Sequence, residues 1–272
     1  MECISELRES LNGHFKWNKA RMTCFVQMLL ALFTTRTVNL NKLACVINSK
    51  AVDQSSRYRR LQRFFAGFKM DFDIIAGFIF RLFFAAGGKW YLTIDRTNWK
   101  WGKANINILT LGIAYQGTAI PIYWDLLDKR GNSDTSERIA IIEKFIKTFG
   151  KASIAELLCD REFVGEDWFT WLSKENISFC IRIKNNTVTT NAHGEKAWMD
   201  TLFYGLKPGE QRVLEGKRKV TGCFVYLAGL RLSDGQLLIV ATDREPENSI
   251  KRYAMRWGAI IFRCLARARA VI

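Results

Sequence analysis

This sequence has few histidines, few prolines and no closely spaced pair of cysteines. The two histidines, His14 and His193, and seven scattered cysteines with no C-x-x-C pair argue against a zinc site. Dispersed thiols suit core positions in a reducing cytoplasm. Charge interrupts the longest apolar runs, at Arg21, Arg36 and Arg81, before they reach the roughly 20 residues of a membrane span. No secretory leader is visible, so we expect a cytoplasmic protein without a membrane anchor.

Acidic residues are also in short supply relative to basic ones. The chain has 41 Lys and Arg against 26 Asp and Glu, which gives a formal net charge of +15. A charge of this size indicates the kind of partner and not the fold. Nucleic acid is the commonest polyanion that such a surface binds, and an anionic membrane surface is the alternative. Because 49% of the residues are apolar, the chain can form a sizeable core in one large domain or two smaller ones.

Residues 1 to about 88 contain no proline and repeat apolar residues at helical spacing, which predicts an all-helical region. One of its helices is predicted in SSRYRRLQRFFAGF, with Ser55 or Ser56 as the N-cap. Its expected apolar stripe contains Tyr58, Leu61, Phe64, Phe65 and Phe68, and the arginines largely off that stripe are Arg57, Arg59, Arg60 and Arg63. These arginines are predicted to bind DNA phosphates. The alternative is an ordinary solvated basic face.

After Gly87-Gly88 the pattern changes to alternating strands and helices. The order β-β-β-α-β-α-β is typical of an α/β domain in which helices flank a mixed sheet. Gln116-Gly117 and Asp234-Gly235 predict hairpin turns. Residues 185 to about 222 are polar and rich in turn residues, which predicts a β-rich insertion. The predicted domains are therefore a helical DNA-binding region at 1–88 and an α/β domain at 89–272 that carries the insertion.

Two aspartates interrupt strands that are otherwise apolar: Asp95 in YLTIDRTNW and Asp160 in LLCDREF. A buried carboxylate is costly unless it is paired or bound to a metal. If the two strands are neighbours, the carboxylates emerge together and suit Mg²⁺ or Mn²⁺, which keeps water or phosphate as its other ligands. Alternatively, each Asp is a turn residue whose adjacent arginine forms only a local pair. Asp243-Arg244 repeats the same dipeptide at a third strand end, so composition leaves open which two matter.

The segments IDRTNWKWG and CDREF, together with Tyr253-x-x-Arg256, resemble the insertion-sequence transposases that have an RNase H-like core and a DDE triad. The resemblance runs from about Lys89 to the end of the chain, and is strongest to the group with a Tyr-x2-Arg-x3-Glu-x6-Lys helix. It implies an RNase H-like mixed sheet, catalytic and metal-binding roles for Asp95 and Asp160, and Mg²⁺ or Mn²⁺ as cofactor. It also implies cleavage and joining of double-stranded DNA at transposon terminal repeats, by a nucleoid-associated protein that can act as a homodimer on DNA.

The terminal helix departs from the pattern of that family. The family's Glu would fall at Ile260 and its Lys at Arg267, and no Asp or Glu follows Glu247. The resemblance makes Tyr253, Arg256 and Arg267 expected DNA-binding residues. It also implies impaired catalysis, with a C-terminus that is truncated or replaced. The alternative is a non-catalytic DNA-binding protein or regulator derived from a transposase. An RNA-binding protein is disfavoured, because no aromatic RNP motif or Gly-x-x-Gly clamp is present.

Overall fold

The computed structural model describes residues 2–47, 53–85, 87–101 and 104–257. Within these residues the chain forms two compact units, one that extends to Leu82 and one that begins at Phe83. None of the described helices is both long and apolar enough to cross a membrane. Ile260, at the position of the family's third acid, and Arg267, an expected DNA contact, lie outside the described residues.

The chain begins with five helices. These are α1 (Glu2–Asn12), α2 (Lys19–Thr35), α3 (Leu40–Val46), α4 (Gln54–Gly67) and α5 (Phe72–Phe84). Helices α2, α3 and α4 share a core that contains Met28, Leu43, Leu61 and Phe64, each at most 8% exposed. Trp17 lies edge-on to Phe68, with ring centroids 4.8 Å apart, and closes this core at one side. The packing leaves one side of α4 facing solvent.

Two details of α4 differ from the sequence-based expectation. The N-cap is Asp53, whose carboxylate accepts a hydrogen bond from the backbone N–H of Ser56 at 2.7 Å, so the expected caps Ser55 and Ser56 lie inside the helix. A carboxylate at this position also interacts favourably with the helix dipole. Phe65, predicted to lie on the buried stripe, is 50% exposed. It follows Phe64 by about 100° around the helix, which carries it past the edge of the buried face.

The second unit is built on a large mixed sheet. Its strands are β1 (Trp90–Trp101), β2 (Ala104–Tyr115), β3 (Thr118–Leu126), β4 (Ile154–Cys159), β5 (Phe179–Ile183), β6 (Val188–Thr190), β7 (Lys196–Trp198), β8 (Gln211–Val213), β9 (Arg218–Val220), β10 (Cys223–Arg231) and β11 (Leu237–Thr242). Its remaining helices are α6 (Thr135–Phe149), α7 (Glu166–Lys174), α8 (Met199–Leu202) and α9 (Pro246–Trp257), with a 3₁₀ turn at Lys151–Ser153. The strand order is β3-β2-β1-β4-β5-β11-β10-β9-β6-β7, and β8 pairs with β10.

The centre of the sheet is parallel and its flanks are antiparallel. Strands β1, β4 and β5 run in parallel, joined by crossovers that contain α6 and α7. Strands β2 and β3 extend β1 as an antiparallel meander, and β11 and β10 extend β5. The carboxyl ends of three parallel strands therefore lie along one edge of the sheet, which is where ligands bind in open α/β folds.

The predicted order of strands and helices and the mixed sheet are confirmed in this unit. The expected hairpin at Gln116-Gly117 joins β2 to β3, and both residues have positive φ angles of 46° and 76°. Asp134 is the N-cap of α6 and forms a capping box with Glu137. Features of this kind leave a local signal in the sequence, because each depends on residues only a few positions apart.

The segment predicted as a β-rich insertion contains β6 to β9 and the short α8. Strands β6, β7 and β9 form a small antiparallel sheet that continues from β10. The ring of Phe203, which is fully buried, packs directly on the backbone of Gly229 in β10, where any Cβ atom would clash with it. This contact fixes the segment to the main sheet.

Candidate active site

Asp95 and Asp160 occupy equivalent positions on two neighbouring parallel strands. Strands β1 and β4 are paired up to Ile94 and Cys159, and each aspartate is the next residue. Neighbouring strands lie about 4.8 Å apart, so the register brings the two aspartates side by side at the carboxyl edge of the sheet. The sequence predicted this juxtaposition.

The two aspartates also have similar local hydrogen bonds. The Asp95 carboxylate accepts from the backbone N–H of Arg96 at 3.0 Å, and the Asp160 carboxylate accepts from the backbone N–H of Arg161 at 2.7 Å. Each bond fixes the direction of a carboxylate relative to its own backbone. The Arg96 side chain, weighed above as a local partner of Asp95, forms an ion pair with Glu162 at 3.1 Å.

The third Asp-Arg dipeptide lies at the opposite edge of the sheet. Strand β11 is antiparallel to β5, so Asp243, which follows β11, is next to the start of β5. Its carboxylate accepts a hydrogen bond from the backbone N–H of Phe179 at 2.8 Å. Arg244 donates to the carbonyl of Ala155 at 2.7 Å, near the start of β4. Asp243 therefore has a structural role at the edge away from Asp95 and Asp160.

Helix α9 brings Arg256 to the pair of aspartates. The Arg256 guanidinium, 12% exposed, donates to the Asp95 carboxylate at 3.3 Å. Burial alone would lower the pKa of Arg256, but the Tyr253 oxygen and the carboxylates of Asp95 and Asp160 raise it, and the net direction is upward. Because both aspartates act on Arg256, the three side chains form one electrostatic cluster. The arginine remains charged in it.

Tyr253, the other residue of the Tyr-x-x-Arg pattern, is fully buried. It packs in the cluster that contains Leu158, Cys180 and Val240. Burial raises the pKa of its phenol above the ordinary range. In this position the Tyr253 side chain fixes α9 against the sheet. Direct contact of Tyr253 with DNA stays a prediction.

A buried ion pair holds α9 against the sheet one turn before Arg256. The sequence did not indicate this pair. The Arg252 guanidinium donates to the Glu156 carboxylate in β4 at 2.7 Å, and the two side chains are 8% and 0% exposed. Arg252 also contacts Glu245 at 3.2 Å and donates to the carbonyl of Arg244 at 2.9 Å. Burial raises the pKa of Glu156, and the Arg252 charge opposes that effect. Glu156 and Arg252 therefore position the helix that carries Arg256.

The residues at this edge fit a divalent cation in part. Two adjacent carboxylates are suitable ligands for Mg²⁺ or Mn²⁺, which can keep water or phosphate at other positions. Among the described residues, however, no group of three or more His, Cys, Asp and Glu side chains is arranged to hold a metal ion. The charge of Arg256 also competes with a cation for Asp95. These features predict weak binding of a divalent ion.

The four arginines of α4 do not have equal positions. Arg59, Arg60 and Arg63 are exposed, whereas Arg57 is half-buried and donates to the carbonyl of Ile47. Arg60 and Arg63 line a cleft of about 380 Å³ together with Arg21 of α2, whose guanidinium lies 4.7 Å from the centroid of the Phe68 ring. The exposed basic face therefore contains Arg21 as well, a residue that periodicity within α4 could not identify.

The comparisons with known proteins find similarity to solved structures. No family model and no curated protein sequence matches this chain. The chain is similar to a cryo-electron-microscopy structure of the piggyBac transposase synaptic complex with hairpin DNA, with 10% identical residues and a TM-score of 0.49. The similarity covers 93% of this chain and 60% of that one, so this chain spans about three fifths of its length.

Proposed function

We propose that this chain is a DNA transposase of an insertion sequence, with an RNase H-like catalytic domain at residues 89–272 and a helical DNA-binding region at 1–88. The observation that carries the proposal is the matched register of Asp95 and Asp160, each of which directly follows the last paired residues of β1 and β4. Two carboxylates at such an edge suit metal-dependent phosphoryl transfer. The formal charge of +15 suits a double-stranded DNA substrate, here the terminal repeats of a transposon.

Each residue of the site has a role in this proposal. Asp95 and Asp160 would hold Mg²⁺ or Mn²⁺, which when bound supplies Lewis-acid chemistry at a phosphoryl oxygen and activates water or a 3′-hydroxyl. Arg256 neutralises part of the carboxylate charge and is positioned to contact a phosphate that approaches Asp95. The Glu156–Arg252 ion pair keeps α9 against β4 while the substrate binds. Arg267 remains a proposed DNA contact at the position of the family's Lys.

The proposal includes impaired catalysis in this chain. In the resembled family the third acid is expected at position 260, where this sequence has isoleucine, and no acid follows Glu247. An isoleucine side chain provides no metal ligand. With one carboxylate missing, the transition state loses part of its charge stabilisation, and each 1.4 kcal/mol lost slows the step about tenfold.

A second candidate function is that of a non-catalytic DNA-binding protein, such as a regulator that occupies transposon ends. The Arg256–Asp95 ion pair at 3.3 Å favours it, because a carboxylate already paired with arginine is less available to a metal. The two functions share DNA binding, possible homodimer formation on DNA and a nucleoid location. They differ in metal-dependent cleavage.

The test is Mg²⁺-dependent nicking and strand transfer on a duplex that carries the inverted repeats flanking the gene. We expect the parent chain to bind this duplex without strand transfer, and Ile260→Glu to increase its affinity for Mn²⁺. Asp95→Ala in the Ile260→Glu background should remove that increase. Robust cleavage by the parent chain, abolished by Asp95→Ala, would contradict the proposal that catalysis is impaired. A failure of Ile260→Glu to change Mn²⁺ affinity would contradict the proposal that position 260 corresponds to the third acid of the resembled family.

A further inference from the structure

A basin lies beside the aspartates at the same edge of the sheet. It has a volume of about 570 Å³ and is lined by Asn132, Arg161, Glu162, Lys184, Asn185 and Asn186. Arg161 directly follows Asp160 at the end of β4, and Lys184 directly follows β5. Because β4 and β5 are parallel neighbours, their carboxyl ends form one side of the basin. A volume of several hundred Å³ is typical of a small-ligand site.

The basin contains two cations that are not neutralised by the fold. Across the described part of the chain, neither the Arg161 nor the Lys184 side chain forms an ion pair with a carboxylate, and both residues are exposed. The one acid in the lining, Glu162, has one oxygen bound by Arg96 at 3.1 Å. Positive charge therefore exceeds negative charge in the basin, which favours an anionic ligand.

Hydrogen-bonding groups in the basin indicate that this ligand is more than a bare anion. The oxygen of the Asn132 carboxamide accepts from Arg96 at 3.0 Å, which leaves its N–H donors for a ligand. The other oxygen of Glu162, Oε1, is buried and has no hydrogen-bond partner among the described residues. A buried carboxylate oxygen is costly without a donor, so the ligand should provide one.

We propose that the basin binds one nucleotide unit of a nucleic-acid strand. Arg161 and Lys184 bind its phosphate, and Glu162 accepts a hydrogen bond from an amino group on its base. The adjacent asparagines bind the remaining edge of the base. The inference rests on the proposed function for the identity of the strand as DNA. Since Arg161 is next to Asp160 in the chain, a strand held here has its backbone beside the proposed metal-binding aspartates.

The test is an NMR titration of the full isotope-labelled chain with deoxycytidine monophosphate, without divalent ions, in which the side-chain amide signals of the basin asparagines are followed. Arg161→Gln/Lys184→Gln should weaken binding at least about tenfold, because hydrogen bonds to charged groups contribute roughly 1.5–3 kcal/mol each. The matched control Lys147→Gln/Lys174→Gln removes the same charge from exposed positions in the last turns of α6 and α7. These turns precede the starts of β4 and β5, at the edge of the sheet opposite the basin. The control should leave affinity within about twofold. Equal weakening by both pairs would overturn the phosphate contact.

A second variant separates a nucleotide from a simple anion. Glu162→Gln removes a negative charge, so it should strengthen binding of inorganic phosphate. The same change should lower the affinity for deoxycytidine monophosphate relative to the affinity for inorganic phosphate, because the amide is a poorer acceptor than the carboxylate. If both ligands gain affinity by the same factor in the variant, the base contact is wrong. Asp95→Asn/Asp160→Asn should not weaken nucleotide binding, so a failure of the proposed metal chemistry would not be mistaken for a failure of this site.

Discussion

Replacement of Arg59, Arg60 and Arg63 by alanine should weaken binding to duplex DNA and reduce its salt dependence. All three residues are exposed on α4, and the Arg60 guanidinium also donates to Gln27 and to the carbonyl of Ala20. Each lost phosphate contact reduces the slope of log affinity against log salt by about 0.9, so three contacts reduce it by about 2.7. Between about 200 mM and about 50 mM salt, the parent should therefore gain about 40-fold more affinity than the variant. Fluorescence anisotropy at several salt concentrations measures this difference.

The control for this experiment removes an equal charge from the same unit. Lys16, Lys42 and Lys69 are exposed and spread over other parts of it, so their triple alanine variant should keep a slope close to that of the parent. Arg57 is left unchanged, because its guanidinium donates to the carbonyl of Ile47 and its loss would disturb the packing. If the arginine variant remains folded and has the same slope as the parent, the α4 face is an ordinary solvated surface.

Replacement of Glu156 by leucine should destabilise the second unit by about 3 kcal/mol, because it leaves the buried Arg252 guanidinium without its principal partner. A loss of this size lowers the melting temperature of a domain of about 180 residues by roughly 6–12 °C. The expected cost is at the lower end for a broken buried pair, since Arg252 keeps Glu245 and two further acceptors. Thermal unfolding followed by circular dichroism measures the shift.

The matched control is Glu245→Gln, which changes the exposed partner of the same arginine. The Glu245 side chain is 64% exposed, and such pairs contribute less than about 1 kcal/mol. We therefore expect a shift of only a few degrees at most. Similar shifts for Glu156→Leu and Glu245→Gln would show that the buried pair does not dock α9.

The fold of the second unit was predictable where the signal is local. The turn at Gln116-Gly117 and the capping box at Asp134 each depend on residues within four positions. In the first unit, the Asp53 N-cap of α4 was missed because serine is also preferred at an N-cap, and two serines lie close to Asp53 in the sequence. The pairing of β1 with β4 has no local signature, and it was inferred only from the presence of aspartates at similar strand ends.

The candidate site was predictable only in its acidic part. Asp95 and Asp160 stand out because a charged residue is unusual in an apolar strand. Glu156 is also a charged residue in an apolar strand, but its role was not predicted because its partner Arg252 is 96 residues away in the chain. The basin beside Asp160 likewise depends on the ends of different strands, so periodicity within any one segment could not indicate it. The burial of Tyr253 was not predicted, because its spacing from Arg256 does not tell which of the two side chains is buried.

The measurement that most directly tests the account is Mn²⁺ binding by the parent chain, followed by electron paramagnetic resonance of free Mn²⁺. We predict weak binding that Asp95→Asn and Asp160→Asn each reduce at least about tenfold, because each removes one of two adjacent carboxylates. Asp243→Asn provides the matched control, since it alters the same Asp-Arg dipeptide at the opposite edge of the sheet and should leave binding unchanged. Mn²⁺ binding that is unaffected by Asp95→Asn and Asp160→Asn, or that is lost equally in Asp243→Asn, would contradict a metal site where the pairing of β1 with β4 ends.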